Sequence, residues 1–325
     1  MWRVVGRAFA VSAWMGLTAM GCAAVTRPPQ PAATHTAPTS EPVANELVLD
    51  DTPVDSTAEA PAADPTPSLP VTTRAAWSPK EPVVAHEKTK AIVLMYHSID
   101  TGVLPRSVSP KMFESHLQWL EENHVEVVPL STFVAFLDNK VELPERVAVI
   151  TIDDGERSFY RTAYPTLVKH HMPFTLGLPT AAIEQSRERP TFTWDMVRDM
   201  LSSGLCEIAS HSHTHPNLAR LSPTAIRREL QTSRDLIEKN TGIRPASLFY
   251  PMGSFNKAVL DISATMYEAG FVAVGAPVKP TTPRYRIPRY EMGNTVGLVT
   301  LALYARRAGL DVRDPIAPRK LLASR

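Results

Sequence analysis

The chain has 325 residues, with 34 Lys and Arg against 33 Asp and Glu, a formal net charge of +1 and 44% hydrophobic residues. That length and apolar content are enough for one sizeable core, and a charge so near zero leaves no electrostatic footprint for nucleic acid, so no such partner is expected. Two cysteines, Cys22 and Cys206, cannot build a disulfide framework, and Cys206, inside Leu205-Cys206-Glu207-Ile208-Ala209, reads as a buried thiol.

Residues 1–22 have the pattern of an export signal: Arg3 and Arg7 precede an apolar run, 8–20, that is short for a bilayer span, and small residues surround Cys22. Leu17-Thr18-Ala19-Met20-Gly21-Cys22 resembles the cleavage box of bacterial lipoproteins, although Ala19 stands where that pattern prefers Leu. The resemblance implies acylation of Cys22, a membrane anchor through that lipid and, with alanine at position 23, an outer-membrane place in the cell envelope. Ordinary signal cleavage, leaving a soluble secreted protein, is the alternative. Residues 23–85 are rich in Pro, Ala, Thr and Ser with almost no apolar periodicity, and are expected to be a disordered tether.

From 86 to 325 strands alternate with amphipathic helices. A buried strand over 91–96 is followed by Ser109-Pro110, an N-cap and first-turn proline, and then by Phe113, Leu117 and Leu120 at helical spacing. The pattern next predicts a strand over 147–152, a helix over 158–170 and a strand over 174–178. Thr193 caps a helix that ends at Gly204, 205–209 is a strand, and Ser222-Pro223 opens a helix closed by Gly242. A strand over 246–250, a helix over 256–269 closed by Gly270 and a strand over 271–275 complete the pattern. Such alternation argues for an α/β fold with a parallel sheet, either a barrel or a doubly wound layer. In both, chemistry collects at the C-terminal ends of strands.

Three sequences fall at such ends. Val147-Ala148-Val149-Ile150-Thr151-Ile152 runs into Asp153-Asp154-Gly155, and two carboxylates closing a buried strand point to opposite sides, so one is free to hold a cation while the other works as a base. Farther on come His211-Ser212-His213-Thr214-His215-Pro216, in which Pro216 disfavours a helix, so a strand-end loop or single turn must converge the two rings. Two imidazoles and one carboxylate make a three-ligand site for zinc or a similar divalent ion with a position left for water. Phe249-Tyr250-Pro251-Met252-Gly253 is the third.

Together with Met95-Tyr96-His97-Ser98-Ile99, these motifs resemble those of the NodB-like polysaccharide deacetylases of the family-4 carbohydrate esterases, over about residues 88 to 300. The resemblance implies a distorted (β/α)7 barrel that removes N-acetyl groups from a GlcNAc-containing polysaccharide such as exopolysaccharide or peptidoglycan. It implies Asp153 as general base, Asp154, His211 and His215 as metal ligands, zinc as the default metal with cobalt or nickel also suited, and the Met252 amide as an oxyanion donor. Tyr250 and Pro251, at the Pro-x-Gly turn, are expected to contact the sugar. Trp194 is expected to pack on the barrel, with stacking on a sugar as the alternative.

Three departures from the family pattern bear on the chemistry. Ile152 replaces the commoner Phe, a packing change. Relatives often carry an arginine just before Pro-x-Gly to hold the catalytic aspartate; this chain has Phe249-Tyr250 there, and Arg289 is expected to approach Asp153 from a later strand instead. No histidine follows His215, so the family's late Leu-x-x-His acid is missing, and His97 is the candidate to line the site in its place. That gap keeps two other functions open: a degenerate deacetylase fold that binds glycan in the envelope, and a hydrolase of another C–N bond.

Overall fold

A computed structural model describes residues 77–186, 190–279 and 281–315. The expected export signal, Cys22 and the tether up to residue 76 lie outside the described residues. Folded structure begins earlier than the expected boundary at 86. Strand β1 (Val83–Val84) pairs with a later strand, and Trp77 packs against the apolar interior of the domain. Residues 77–85 therefore belong to the domain; two β-branched residues suffice for a short strand within a stretch whose composition otherwise reads as tether.

Next come β2 (Lys90–Tyr96), β3 (Ser98–Ile99), β4 (Ser107–Val108), α1 (Pro110–Glu122), β5 (Glu126–Val127), α2 (Leu130–Leu137), β6 (Leu143–Pro144), which is the partner of β1, and β7 (Arg146–Ile152). They are followed by α3 (Arg157–Thr162), α4 (Tyr164–Lys169), β8 (Phe174–Leu178), α5 (Thr180–Glu184), α6 (Trp194–Ser202), β9 (Cys206–Ser210), α7 (Pro223–Thr241) and β10 (Ser247–Phe249). The last are α8 (Lys257–Ala264), β11 (Ala269–Val272), β12 (Ile287–Pro288), β13 (Tyr290–Glu291) and α9 (Leu298–Arg307).

The main sheet runs in the order β12, β11, β10, β9, β8, β7, β2, β13, all parallel, with β5 added beside β7. Its two ends are the same piece of chain: Ile287 and Pro288 pair with β11, Tyr290 and Glu291 pair with β2, and Arg289 alone lies between. The sheet thus closes into the (β/α)7 barrel, with 287–291 as the closing stave. Along the strands Ala91, Val93, Val147, Val149, Ala209, Phe249 and Ile287 fill the barrel, while Ile92, Leu94, Ala148, Ile150 and Ile208 face the helices, as period-two alternation requires.

Three predicted elements differ from those observed, one being the strand expected over 271–275, which is β11 and ends at Val272. The helix expected over 158–170 is α3 and α4, broken at Ala163, because Pro165 has no N–H to donate and its ring collides with the preceding turn. The helix expected to run to 269 stops at Ala264, and Gly270 lies inside β11 rather than closing a helix. There the glycine serves close approach: a Cβ at 270 would lie 2.3 Å from the Tyr250 hydroxyl.

Candidate active site

The site is built at the C-terminal mouth of the barrel, and its backbone is unusual there. Asp154, Ser212, His215 and Met252, none of them glycine, have positive φ of 69°, 62°, 58° and 57°. Left-handed backbone at such residues costs free energy and gathers where function requires a particular direction.

At the end of β7 the amide of Asp153 donates to the Tyr96 carbonyl at 2.9 Å, and the left-handed turn at Asp154 and Gly155 then swings the second carboxylate away from the first. Asp153 is buried and meets the guanidinium of Arg289 in a two-pronged pair, Nη1 to Oδ1 at 2.8 Å and Nη2 to Oδ2 at 2.7 Å. Nη1 also donates to Thr151 Oγ1 at 3.1 Å, and that hydroxyl passes its own hydrogen to the Leu94 carbonyl. Burial by itself would raise the Asp153 carboxyl; the Arg289 guanidinium, with His211 beside it, outweighs burial and holds the group below its ordinary value. The result is a carboxylate ionised and oriented at neutral pH.

The remaining ligand atoms come from β9 and its loop. Glu229 of α7 accepts from the amides of His213 and Thr214 at 3.1 and 2.8 Å, and Ser212 Oγ accepts from the His215 amide at 3.1 Å, which fixes the strand-end loop. His211 Nδ1 donates to the Phe249 carbonyl at 2.8 Å, so Nε2 keeps its lone pair free for a cation. That Nε2 lies 3.1 Å from His215 Nε2, and Asp154 Oδ1 lies 3.4 and 3.3 Å from the two. Among the described residues, Asp154, His211 and His215 form the group whose donor atoms converge closely enough for a metal ion. A fixed tautomer, two imidazoles and one carboxylate fit zinc, with room for further ligands on the open side. Burial opposes ionisation of Asp154, and the hydrogen bond and charge of His211, with His97 and His215, reverse that and keep its carboxyl far below the usual range.

His97, just past β2, is buried, with Nε2 4.0 Å from Asp154 Oδ2. Burial pushes its imidazole below the ordinary value, an effect that Asp153 and Asp154 partly oppose. It lines the cleft together with Met95, Arg106, Asp153, His211 and Met252. His213 stands apart, its Nδ1 2.9 Å from Thr180 Oγ1. Trp194 packs against the barrel's outer core and donates to Glu184 Oε1 at 2.6 Å.

Tyr250, expected with Pro251 to contact the sugar, is among the residues that line the cleft, although its ring is buried. Phe249 points into the barrel, so Tyr250 must point out of it, and it lies fully buried among Leu218, Val259 and Ile262. Pro251 is buried as well, at the start of the turn. The side chain this turn presents to solvent is Met252, 59% exposed. Two contributors escaped the sequence reading. Arg106, just after the turn-rich segment Gly102-Val103-Leu104-Pro105, reaches the cleft wall and pairs with Glu291 at 2.9 Å. Phe249, marked in the sequence only as part of the Pro-x-Gly motif, lies under the Arg289 guanidinium, 4.2 Å from ring centroid to Cζ.

Residues 140–270 match the family model described as polysaccharide deacetylase. Over that segment this chain resembles the family. The chain is 29% identical over 189 residues to the Bacillus subtilis protein YxkH, 58% of this chain and 66% of that one, just under two thirds of the relative's length. It is 25% identical over 235 residues to the poly-beta-1,6-N-acetyl-D-glucosamine N-deacetylase of Staphylococcus epidermidis, 64% of this chain and 81% of the relative. The deacetylase PplD of Streptococcus pyogenes, solved with acetate, shares the fold at TM-score 0.63 and 23% identity, over 67% of this chain and 98% of that one. The matched segment holds Asp153, Asp154, His211, His215 and Phe249, whereas His97, Arg106 and Arg289 lie outside it.

Proposed function

We propose that this protein is a metal-dependent deacetylase that hydrolyses N-acetyl groups on a GlcNAc-containing polysaccharide, with exopolysaccharide or peptidoglycan as the substrate class. The observation that carries the reading is the Asp153 carboxylate, clamped by Arg289 at 2.7 and 2.8 Å and 3.8 Å from the nearest ligand nitrogen, His211 Nε2. A base in that position serves a water at the ligand cluster. The Staphylococcus epidermidis relative, a poly-beta-1,6-N-acetyl-D-glucosamine N-deacetylase, supports an N-acetylglucosamine polymer as substrate.

A divalent cation held by Asp154, His211 and His215, zinc first and cobalt or nickel by the same donor set, would polarise the acetyl carbonyl and acidify a water. Asp153 would take the proton of a water as that water's oxygen bonds to the acetyl carbon. The Met252 amide, in the left-handed turn 251–253, would face the oxyanion that develops. His97 is the histidine of the cleft outside the ligand set and lines the site, where the proton taken up by Asp153 would have to reach the sugar nitrogen as the C–N bond breaks to give acetate and a free amine. Export, and a lipid anchor at Cys22 that holds the domain in the cell envelope, belong to the same reading and rest on the pattern of residues 1–22.

The decisive experiment measures acetate released by the purified protein from GlcNAc oligomers, peptidoglycan and acetylated xylan. Release from the GlcNAc polymer, lost on chelation and restored by zinc, is expected. A protein that binds metal and glycan yet frees acetate from none of them would be the glycan-binding alternative.

A further inference from the structure

We infer that Phe249 is a positioning residue for this reaction, because its ring is the platform that holds Arg289, and hence Asp153, while its carbonyl orients His211. The inference rests on the deacetylase reading of the site.

Phe249 is the last residue of β10 and is completely buried inside the barrel. Its ring stands edge-on to Phe271, with centroids 5.4 Å apart, and is pressed against β8 at Gly177, where a Cβ would lie 2.6 Å from Phe249 Cδ2 and 3.0 Å from Asp153 Oδ1. Ring and carboxylate thus share a space that exists because residue 177 has no side chain.

Arg289 supplies the second half of the argument. Its Nη1 and Nη2 make three hydrogen bonds, but its Nε is buried without an acceptor. A guanidinium free to tilt would trade part of the two-pronged geometry to satisfy that donor. What keeps it flat is the face of Phe249, whose π-electrons attract the cation across 4.2 Å. The carbonyl of the same residue receives the His211 Nδ1 hydrogen. The base and the cation ligand are therefore referred to one residue, the first through its side chain and the second through its backbone.

This division sets the test. Phe249→Leu keeps the carbonyl and much of the apolar volume but loses the ring face, so kcat should fall about tenfold, the size of one cation–π contact, with KM and zinc affinity each within about twofold of wild type. Mono-, di- and trifluorophenylalanine at 249 keep the shape and drain the ring face of charge in steps, and kcat should fall in the same order. Side-chain nitrogen NMR of Arg289 should show two separate Nη signals in the wild type that average together as fluorination rises. A Leu variant with wild-type kcat, or a fluorination series flat in both kcat and NMR, would overturn the inference. Should Phe249→Leu fail to fold, the isosteric series still decides. A wild type that frees no acetate would count against the deacetylase reading, and the NMR series would still read the platform.

Discussion

Asp153 and Asp154 are adjacent, yet the left-handed turn at Asp154 puts them in opposite surroundings: one buried against a guanidinium, the other partly exposed beside two imidazoles. Asp153→Asn retains the shape, cannot accept a proton and leaves Arg289 buried without its counter-charge. Turnover should drop by about 10²–10⁴, stability by about 3 kcal/mol, and zinc affinity should stay put, since the three ligands are untouched. Acetate release, denaturant unfolding and zinc titration read these separately. Wild-type turnover in this variant would remove Asp153 from the role of base. That two such acids sat at a strand end was legible in the sequence; that the Tyr250 ring would be buried outside the barrel was not, because the direction depended on which face of a three-residue strand Phe249 took.

Elements with strong periodicity were readable: β2, β7 and β8 lie within a residue of their predicted spans, and Ser109, Thr193 and Ser222 cap α1, α6 and α7 through their hydroxyls. The closing stave was not, since two-residue strands on either side of Arg289 carry no alternation to detect. A second hidden tie is His116 of α1, whose Nδ1 accepts from the Tyr96 hydroxyl at 3.2 Å and whose Nε2 donates to the Val296 carbonyl at 2.9 Å. Burial pushes this imidazole from 6.5 down to about 4. The unfolded chain therefore takes up the proton near pH 6.5 and the folded one only near pH 4. The stability linked to His116 is fully present above pH 6.5 and is lost as pH falls toward 4, by up to about 3 kcal/mol. Unfolding free energies measured between pH 7 and 5 should fall more steeply for the wild type than for His116→Gln; equal slopes would contradict the assignment.

At the scale of the whole molecule the edge of the domain lies at or before Trp77, not at 86. Trp77 packs on the barrel interior, β1 pairs with β6, and Glu126, largely buried, draws on the backbone N–H groups of Lys80 and Glu81. A chain starting at 86 gives up all three, so it should be less stable by about 2 kcal/mol than one starting at 77, chiefly from the exposed tryptophan site and the stranded carboxylate. Thermal unfolding of the two chains compares them directly, and equal midpoints would return the boundary to 86.

The stave at 287–291 also gives the molecule an order of readiness. The candidate cation ligands are all in the chain by His215, but the guanidinium that steadies Asp153 is on a segment much later in the sequence, seated only when the barrel shuts. A protein cut before residue 287 would keep the three candidate ligands and lose the partner of Asp153.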